Sequence, residues 1–241
     1  MLGLKQSLGI AKKKTATAAG SSFADDYSIL LDGTNDYVNL ADAASEVSGV
    51  TGSISFWFKS PNTGGYPFEI KVDTNNFIVA YYAYDVMNTQ RRCAGSNNSA
   101  TAFSDGSGDD GNWHHLALTW SETADRLISY ADGSAETTTT GIETSFAGTP
   151  SIFTIGKHSG HWSGGYMSGN INDVSVWSSA LSAGEVAAIY NSGTPTDLSS
   201  EDDLVGYWKF EENTGTTVAD SSDNSNDGAL VNGTAWSSTT P

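Results

Sequence analysis

One cysteine, Cys93, is all that this chain of 241 residues contains. An internal disulfide is excluded, and the pattern is that of a protein folded in a reducing compartment. Lysine and arginine are also scarce, 11 against 28 acids, and the net charge is −17. Nucleic-acid binding needs basic surface that releases counterions, so neither duplex nor single strand is an expected partner. No run of about 18 apolar residues occurs, so no helical membrane span is expected. Proline numbers only five and charged residues make up 16%. In their place stand 26 glycines, seven Trp, ten Tyr and nine Phe, within an apolar content of 38%. That is enough to build a core and rules out global disorder. Many short strands joined by Gly, Asn, Ser and Thr turns give such a profile, in one large all-β domain or two small ones.

The few cations are unevenly placed. Lys5, Lys12, Lys13 and Lys14 lie ahead of the first acid, Asp25, so the opening arm carries +4 and the rest −21. Residues 1–22 are read as a basic arm ending in the small-residue linker "TATAAGSS", and residues 23–241 as the folded body. The arm suits docking on something anionic, including a second copy of the chain, or it remains a soluble terminus. "MLGLKQSLGIAKKK" has no continuous apolar stretch of about 7 residues, and its basic cluster follows the apolar residues, so it does not read as a secretion signal. Release by lysis, as for a virion component, is the route expected for work outside a cell.

Strand signals arrive in series. "YSILLDGTNDYVNL" holds two short runs around a turn. In "GSISFWFKS", Ile54, Phe56 and Phe58 fall on one face and Ser55, Trp57 and Lys59 on the other. "FIVAYYAYD" is aromatic on both faces, the mark of a buried or ligand-lined strand. "GNWHHLALTWSETADRLISYADG" reads as a hairpin with Asp132-Gly133 at the next turn. "SIFTIG" and "GNINDVSVW" add two strands. One helix is marked in "LSAGEVAAIYNSGTP": Ser182 as N-cap and Glu185 form a capping box, and Leu181 and Val186 form a hydrophobic staple. Val186, Ile189 and Tyr190 share its apolar face, Gly193 and Pro195 stop it, and it is expected on an edge or end of the β structure.

A polar linker, 191–203, leads to 204–241. Its stretch "LVGYWKFEENTGTTVADSSDNSNDGALVNGTAW" reads like the start of a domain. Under 40 residues hardly fold alone, yet Tyr207, Trp208, Phe210 and Trp236 want burial. Three fates are open: a closing strand of the chain's own sandwich, a strand swapped into a neighbouring copy, or a remnant second domain. Closure within the chain costs less loop entropy.

The pieces "LDGTNDYVNL", "GSISFWFKS", "GNWHHLALTW", "SYADG" and "GNINDVSVWSSALSAGEVAAIYNSG", in this order, resemble the laminin-G-like branch of the concanavalin-A-like jelly rolls. The resemblance covers residues 29 to 193. It implies a two-sheet antiparallel jelly-roll sandwich with one short helix, whose usual work is carbohydrate or protein binding and adhesion. In the family a "YW-x-F…G-T…D-x-S-G-N…G" stretch stands first; here "YWKFEENTGTTVADSSDNSNDG" stands last, so the order looks permuted.

Catalytic chemistry is poorly supported. Sugar-cleaving relatives carry a Glu-x-Asp-x-Glu type of array on one strand, since alternation puts i, i+2 and i+4 on one face. Glu69 and Asp73 lack the middle carboxylate, and Glu211 and Glu212 are adjacent and point apart. His114 and His115 also point to opposite faces and are read as hydrogen-bonded scaffold. His158 and His161 lie in a Gly-rich loop. Calcium fits better, because it takes oxygens from loops. "DSSDNSNDG" offers Asp220, Asp223, Asn224, Asn226 and Asp227, and the resemblance adds Asp173. The competing reading of that loop is an Asx-turn whose side chains cap their own backbone. For stacking on sugar rings the candidates are Trp57, Tyr66, Tyr82, Tyr84, Trp162 and Tyr166.

The sequence therefore predicts a non-enzymatic binding or structural module on a virion surface. Its expected partners are a glycan or other virion proteins, with possible self-assembly through the arm and Ca2+ as the cofactor. The alternatives are a glycan hydrolase or lyase on the same fold, and an adhesion module of a bacterial cell surface.

Overall fold

The computed structural model describes residues 23–61, 64–142, 146–160 and 165–241. The basic arm, and with it Trp162 and His161, lies outside the described residues.

The strand signals resolve into short elements in chain order. They are β1 (Ser28–Asp32), β2 (Tyr37–Asn39), a single helical turn α1 (Ala41–Ala44), β3 (Thr51–Lys59), β4 (Phe68–Asp73) and β5 (Asn76–Tyr82). There follow β6 (Met87–Cys93), β7 (Ser96–Phe103), β8 (His114–Ser121), β9 (Arg126–Ala131), β10 (Ser134–Thr139) and β11 (Ile152–Ile155). The chain ends with β12 (Ser168–Trp177), α2 (Ala183–Tyr190), β13 (Leu204–Trp208), β14 (Thr217–Val218), β15 (Gly228–Val231) and β16 (Ala235–Ser237). Among the described residues they form two eight-stranded sheets. The first runs β10-β9-β8-β3-β12-β1-β16 with β13 also on β12, and the second runs β14-β15-β2-β11-β4-β5-β6-β7. All the pairings are antiparallel, and the sheets face each other as a jelly-roll sandwich.

Alternation decides what lies between the sheets. Ile54, Phe56 and Phe58 of β3, Leu116, Leu118 and Trp120 of β8, and Ile78 and Ala80 of β5 share one core. The intervening residues of β3 and β8 point out of the sandwich. Trp57 and His115 would face water there, but α2 lies over them: Tyr190 stacks on Trp57 at 5.6 Å, and Val186 packs on Ala117 and Tyr130. The helix thus covers a sheet face and not an edge or end. Its capping box is formed as the sequence implies, with Ser182 accepting from the Glu185 amide. It stops earlier than expected, at Asn191, whose left-handed φ of 45° ends the helix before Gly193 is reached.

The late segment packs into its own sandwich. β13 pairs with β12 from Trp208 opposite Val174, β15 pairs with β2 through Leu230 opposite Val38, and β16 pairs with β1. Val205, Trp208, Phe210, Val218 and Leu230 join the main core. One edge of β12 is shared end to end, by β1 up to Ile171 and by β13 from Val174. A bulge makes the division: the β3 register shifts between Asn172 and Ser175, and Asp173 sits there at φ +48°.

Candidate functional site

Among the described residues no helix lies over the outer face of the second sheet, and there the side chains line up across strands. Lys71 of β4 lies opposite Phe77 of β5, which lies opposite Arg92 of β6. One step along, Glu69 is opposite Val79, and Val79 opposite Gln90. Two loops rise beside this face. Tyr66 comes from the approach to β4, and His158 follows β11. They meet because β4 and β11 are neighbours, with Phe68 opposite Ile155. Their rings stack at 4.4 Å and 18°, and Tyr66 lies 6.0 Å from Tyr81 at 29°. The result is a cleft of about 260 Å³ lined by Tyr66, Lys71, Phe77, Tyr81, Arg92 and His158, with Thr74, Val79 and Gln90 completing it.

Glu69 holds the loop side of this cleft. It is fully buried, accepts the Ser159 amide at 2.6 Å, and lies 2.6 Å from His158 Nδ1 and 3.5 Å from Lys71 Nζ. Lys71 in turn donates to the Ser159 carbonyl. Burial pushes the Glu69 carboxyl up, but the hydrogen bonds from His158 and Ser159 outweigh it and leave the pKa below its ordinary value. Glu69 stays ionised as the anchor of the loop. None of the nine cleft-lining residues is an acid. A sugar-cleaving site needs two carboxyl groups, about 5–5.5 Å apart for retention and about 6.5–9.5 Å for inversion. The cleft offers neither pair. It offers aromatic faces for apolar ring surfaces, an amide and cations for hydroxyl and anionic groups.

Of the aromatic candidates named from the sequence, Tyr66 lines the cleft. Trp57 does not, being 3% exposed beneath α2. Tyr82 points the other way, packs against the core and donates its hydroxyl to Gly108 O at 2.7 Å. Tyr84 stands 97% exposed in the turn after β5, outside the cleft. Tyr166 flanks Lys157, whose ammonium lies 4.0 Å over the Tyr37 ring. Phe77, Tyr81, Gln90, Arg92 and His158 were missed. Phe77 and Tyr81 had a signal in the double-faced aromatic strand, whereas Gln90, Arg92 and His158 lie outside it, and which face is open depends on where the helix docks.

The four expected calcium ligands do not converge. Asp220 is saturated: Oδ1 accepts the Tyr207 and Ser222 amides, and Oδ2 the Ser222 hydroxyl and the Asn226 amide. Asn226 donates to Val205 O and accepts from Trp208 Nε1, while Asp223 is exposed. The loop is an Asx-turn that clamps Trp208, and among the described residues no three His, Cys, Asp or Glu side chains are grouped to hold a metal.

Asp173 belongs to another neighbourhood. Its Oδ1 accepts the Tyr207 hydroxyl at 2.6 Å, while Oδ2 and the neighbouring Asn172 Oδ1 are buried with no hydrogen-bond partner among the described residues. Burial, with the charges of Asp25 and Glu211, raises the Asp173 pKa well above its ordinary value. Burial likewise raises Asp25 to about 6, against the hydrogen bond from Asn172, and burial raises Glu211. Two orphaned oxygens thus lie near three carboxylates that burial disfavours as anions, and as placed these acids are not grouped to hold a metal.

In sequence, no curated protein matches the chain. Solved structures are similar in fold. The chain is similar to a heptameric SAP-like pentraxin from Limulus polyphemus, at 20% identity and a TM-score of 0.53, over 69% of this chain and 82% of that one. It is also similar to the CBM40 module of a Ruminococcus gnavus IT-sialidase, at 14% identity and a TM-score of 0.57, over 68% and 96%. A third is domain 4 of an extracellular arabinanase from Geobacillus stearothermophilus, in complex with arabinotriose, at 18% identity and a TM-score of 0.54, over 68% and 76%. The family model described as concanavalin A-like lectin/glucanases superfamily, of laminin G type, matches residues 32–187. With this match over most of the sandwich, and the two-sheet jelly roll itself, the chain belongs to the concanavalin A-like lectin/glucanases superfamily.

Proposed function

We propose that the chain is a non-catalytic glycan-binding module and that the cleft beside Tyr66 is its site. One observation carries this: the Lys71–Phe77–Arg92 row on an uncovered sheet face, walled by Tyr66 and His158. A volume of about 260 Å³ lies just below the range of about 300–1,000 Å³ usual for clefts that bury a drug-sized ligand, so the site suits a small sugar ligand. The absence of an acid from the lining favours binding over cleavage. Similarity in fold to a domain whose structure is in complex with arabinotriose supports the class of ligand. The test is a glycan array with the wild type and Tyr66→Ala. Loss of one stacking face is expected to weaken a bound glycan roughly tenfold, as an aromatic contact is worth about 0.5–1.5 kcal/mol beyond its buried area. Binding that is indifferent to Tyr66, or turnover of any arrayed glycan, would contradict the reading.

Calcium belongs to the same proposal as a structural ion and not as part of the cleft. Asp173 and Asn172 would hold it through their unpartnered oxygens, with Asp25 and Glu211 drawn in. Bound there, Ca2+ would neutralise carboxylates that burial disfavours as anions. A native-state ligand raises the melting temperature, so millimolar Ca2+ is expected to stabilise the wild type over chelator and to leave Asp173→Asn unmoved. Equal melting curves for the wild type in both conditions would refute the ion. Display on a virion surface, with the +4 arm as the docking element, is the setting we propose for the module.

A further inference from the structure

The chain carries two adjacent arginines on β6, and alternation sends them to opposite faces. Arg91 points inward, is fully buried, and is satisfied: Nε donates to Gly49 O at 2.8 Å and the guanidinium pairs with Glu122. Arg92 points into the cleft. Its guanidinium lies 5.8 Å from the Phe77 ring centroid, and its buried Nε has no hydrogen-bond partner among the described residues. No described acid pairs with it, whereas the cleft's other strand cation, Lys71, is already engaged by Glu69 and Ser159. Arg92 lines the cleft without an acid partner among the described residues, and a planar carboxylate can take two parallel hydrogen bonds from such a guanidinium.

We propose, building on the glycan-binding reading, that the cleft takes a sugar bearing a carboxylate, and that Arg92 clasps it. Several features of the molecule agree. Among the described residues no acid lines this cleft, and Glu69 beside it is already engaged by His158, Ser159 and Lys71, so the ligand's charge meets no unpaired like charge at contact. The net charge of −17 opposes the approach of an anion only at range. At physiological ionic strength charges beyond about 8 Å are largely screened, so the contact cation decides. Gln90, one register step along from Arg92 on the same face, is placed for hydroxyls, and Tyr66 and Tyr81 for the ring. The carboxylate has two common sources in glycans, a sialic acid and a uronic acid, and the cleft chemistry is shared by both.

Calorimetric titration of the full chain with two matched pairs of probes tests this. One pair is α2,3-sialyllactose against lactose; the other is trigalacturonate against its methyl ester. In at least one pair the acidic member is expected to bind roughly tenfold or more tightly than its neutral partner, the strength of a charge-assisted clasp. The responding pair identifies the source of the carboxylate. Arg92→Gln is expected to bring that ratio close to one without shifting the melting temperature. Arg92→Lys, which keeps the charge and loses the fork, should fall between. Neutral glycans bound as well as acidic ones, or an acid preference that survives Arg92→Gln, would overturn the acidic-sugar proposal and leave glycan binding standing. No binding of either pair, together with a blank glycan array, would overturn both.

Discussion

His114 and His115 show how far one peptide bond separates two chemistries. Opposite faces were expected from strand geometry, and both rings were read as hydrogen-bonded scaffold. His114 fits: its ring nitrogens contact Asp132 at 2.9 Å and Asp110 at 3.1 Å. The Asp132 hydrogen bond is the main cause of a raised His114 pKa. His115 does not fit. Neither ring nitrogen has a hydrogen-bond partner among the described residues, and the ring packs against the stacked pair Trp57 and Tyr190. Burial pushes its pKa down to about 4, against the Asp132 charge, which raises it. The two therefore pull stability in opposite directions in mild acid. His114 contributes stability that is fully present below about pH 6.5 and is lost as pH rises through its folded pKa. His115 costs stability as pH falls from about 6.5 towards 4, where the unfolded chain takes a proton that the folded one refuses. Residue-assigned NMR should show the His114 ring titrating above 6.5 and the His115 ring staying neutral to about pH 4. His114 and His115 titrating together near 6.5 would contradict this placement. The same scale limits what the sequence reveals about the cleft. The side to which Arg92 points follows from alternation, but that its side is the open one follows only from α2 docking on the other sheet.

At the scale of elements, "GSISFWFKS", the 114–131 hairpin and the capping box of α2 were legible because each is a local pattern with a local cause. The landing place of α2 was not, since it depends on Ala117, Tyr130 and Trp57 coming together from separate strands. The meeting of Tyr66 with His158 was equally hidden, because residues from 66 and 158 join only through the long-range pairing of β4 with β11. The late segment was readable as a closing element from its unburied aromatics, though not which strand each part would join. Trp208 now contacts Phe153 edge-on at 5.7 Å and donates to Asn226 O. Trp208→Ala is expected to cost about 3–5 kcal/mol in denaturant unfolding, as large-to-small changes of buried aromatics do. Deletion of residues 204–241 would remove strands from both sheets and leave β1, β2 and β12 with open edges, so insoluble or molten protein is expected. A truncated chain that stays soluble with an unchanged melting temperature would show that the segment is not part of the sandwich.

For the molecule as a whole, the arrangement is asymmetric in a way that assigns labour. The first sheet has its outer face roofed by α2 and its edge completed by the late strands, and there the unpaired oxygens of Asp173 and Asn172 gather. Among the described residues nothing covers the middle of the second sheet's outer face, which carries aromatic and cationic side chains. Fold class was plain in composition and strand order, because turns and alternation recur along the whole chain. The candidate face was not, because it is defined by what fails to cover it. The most direct test of the account is residue-resolved NMR mapping of a glycan identified on the array. The account predicts shift changes concentrated at Tyr66, Lys71, Phe77–Tyr81, Gln90–Arg92 and His158. Changes centred elsewhere, on the face beneath α2 or around Tyr84, would contradict it.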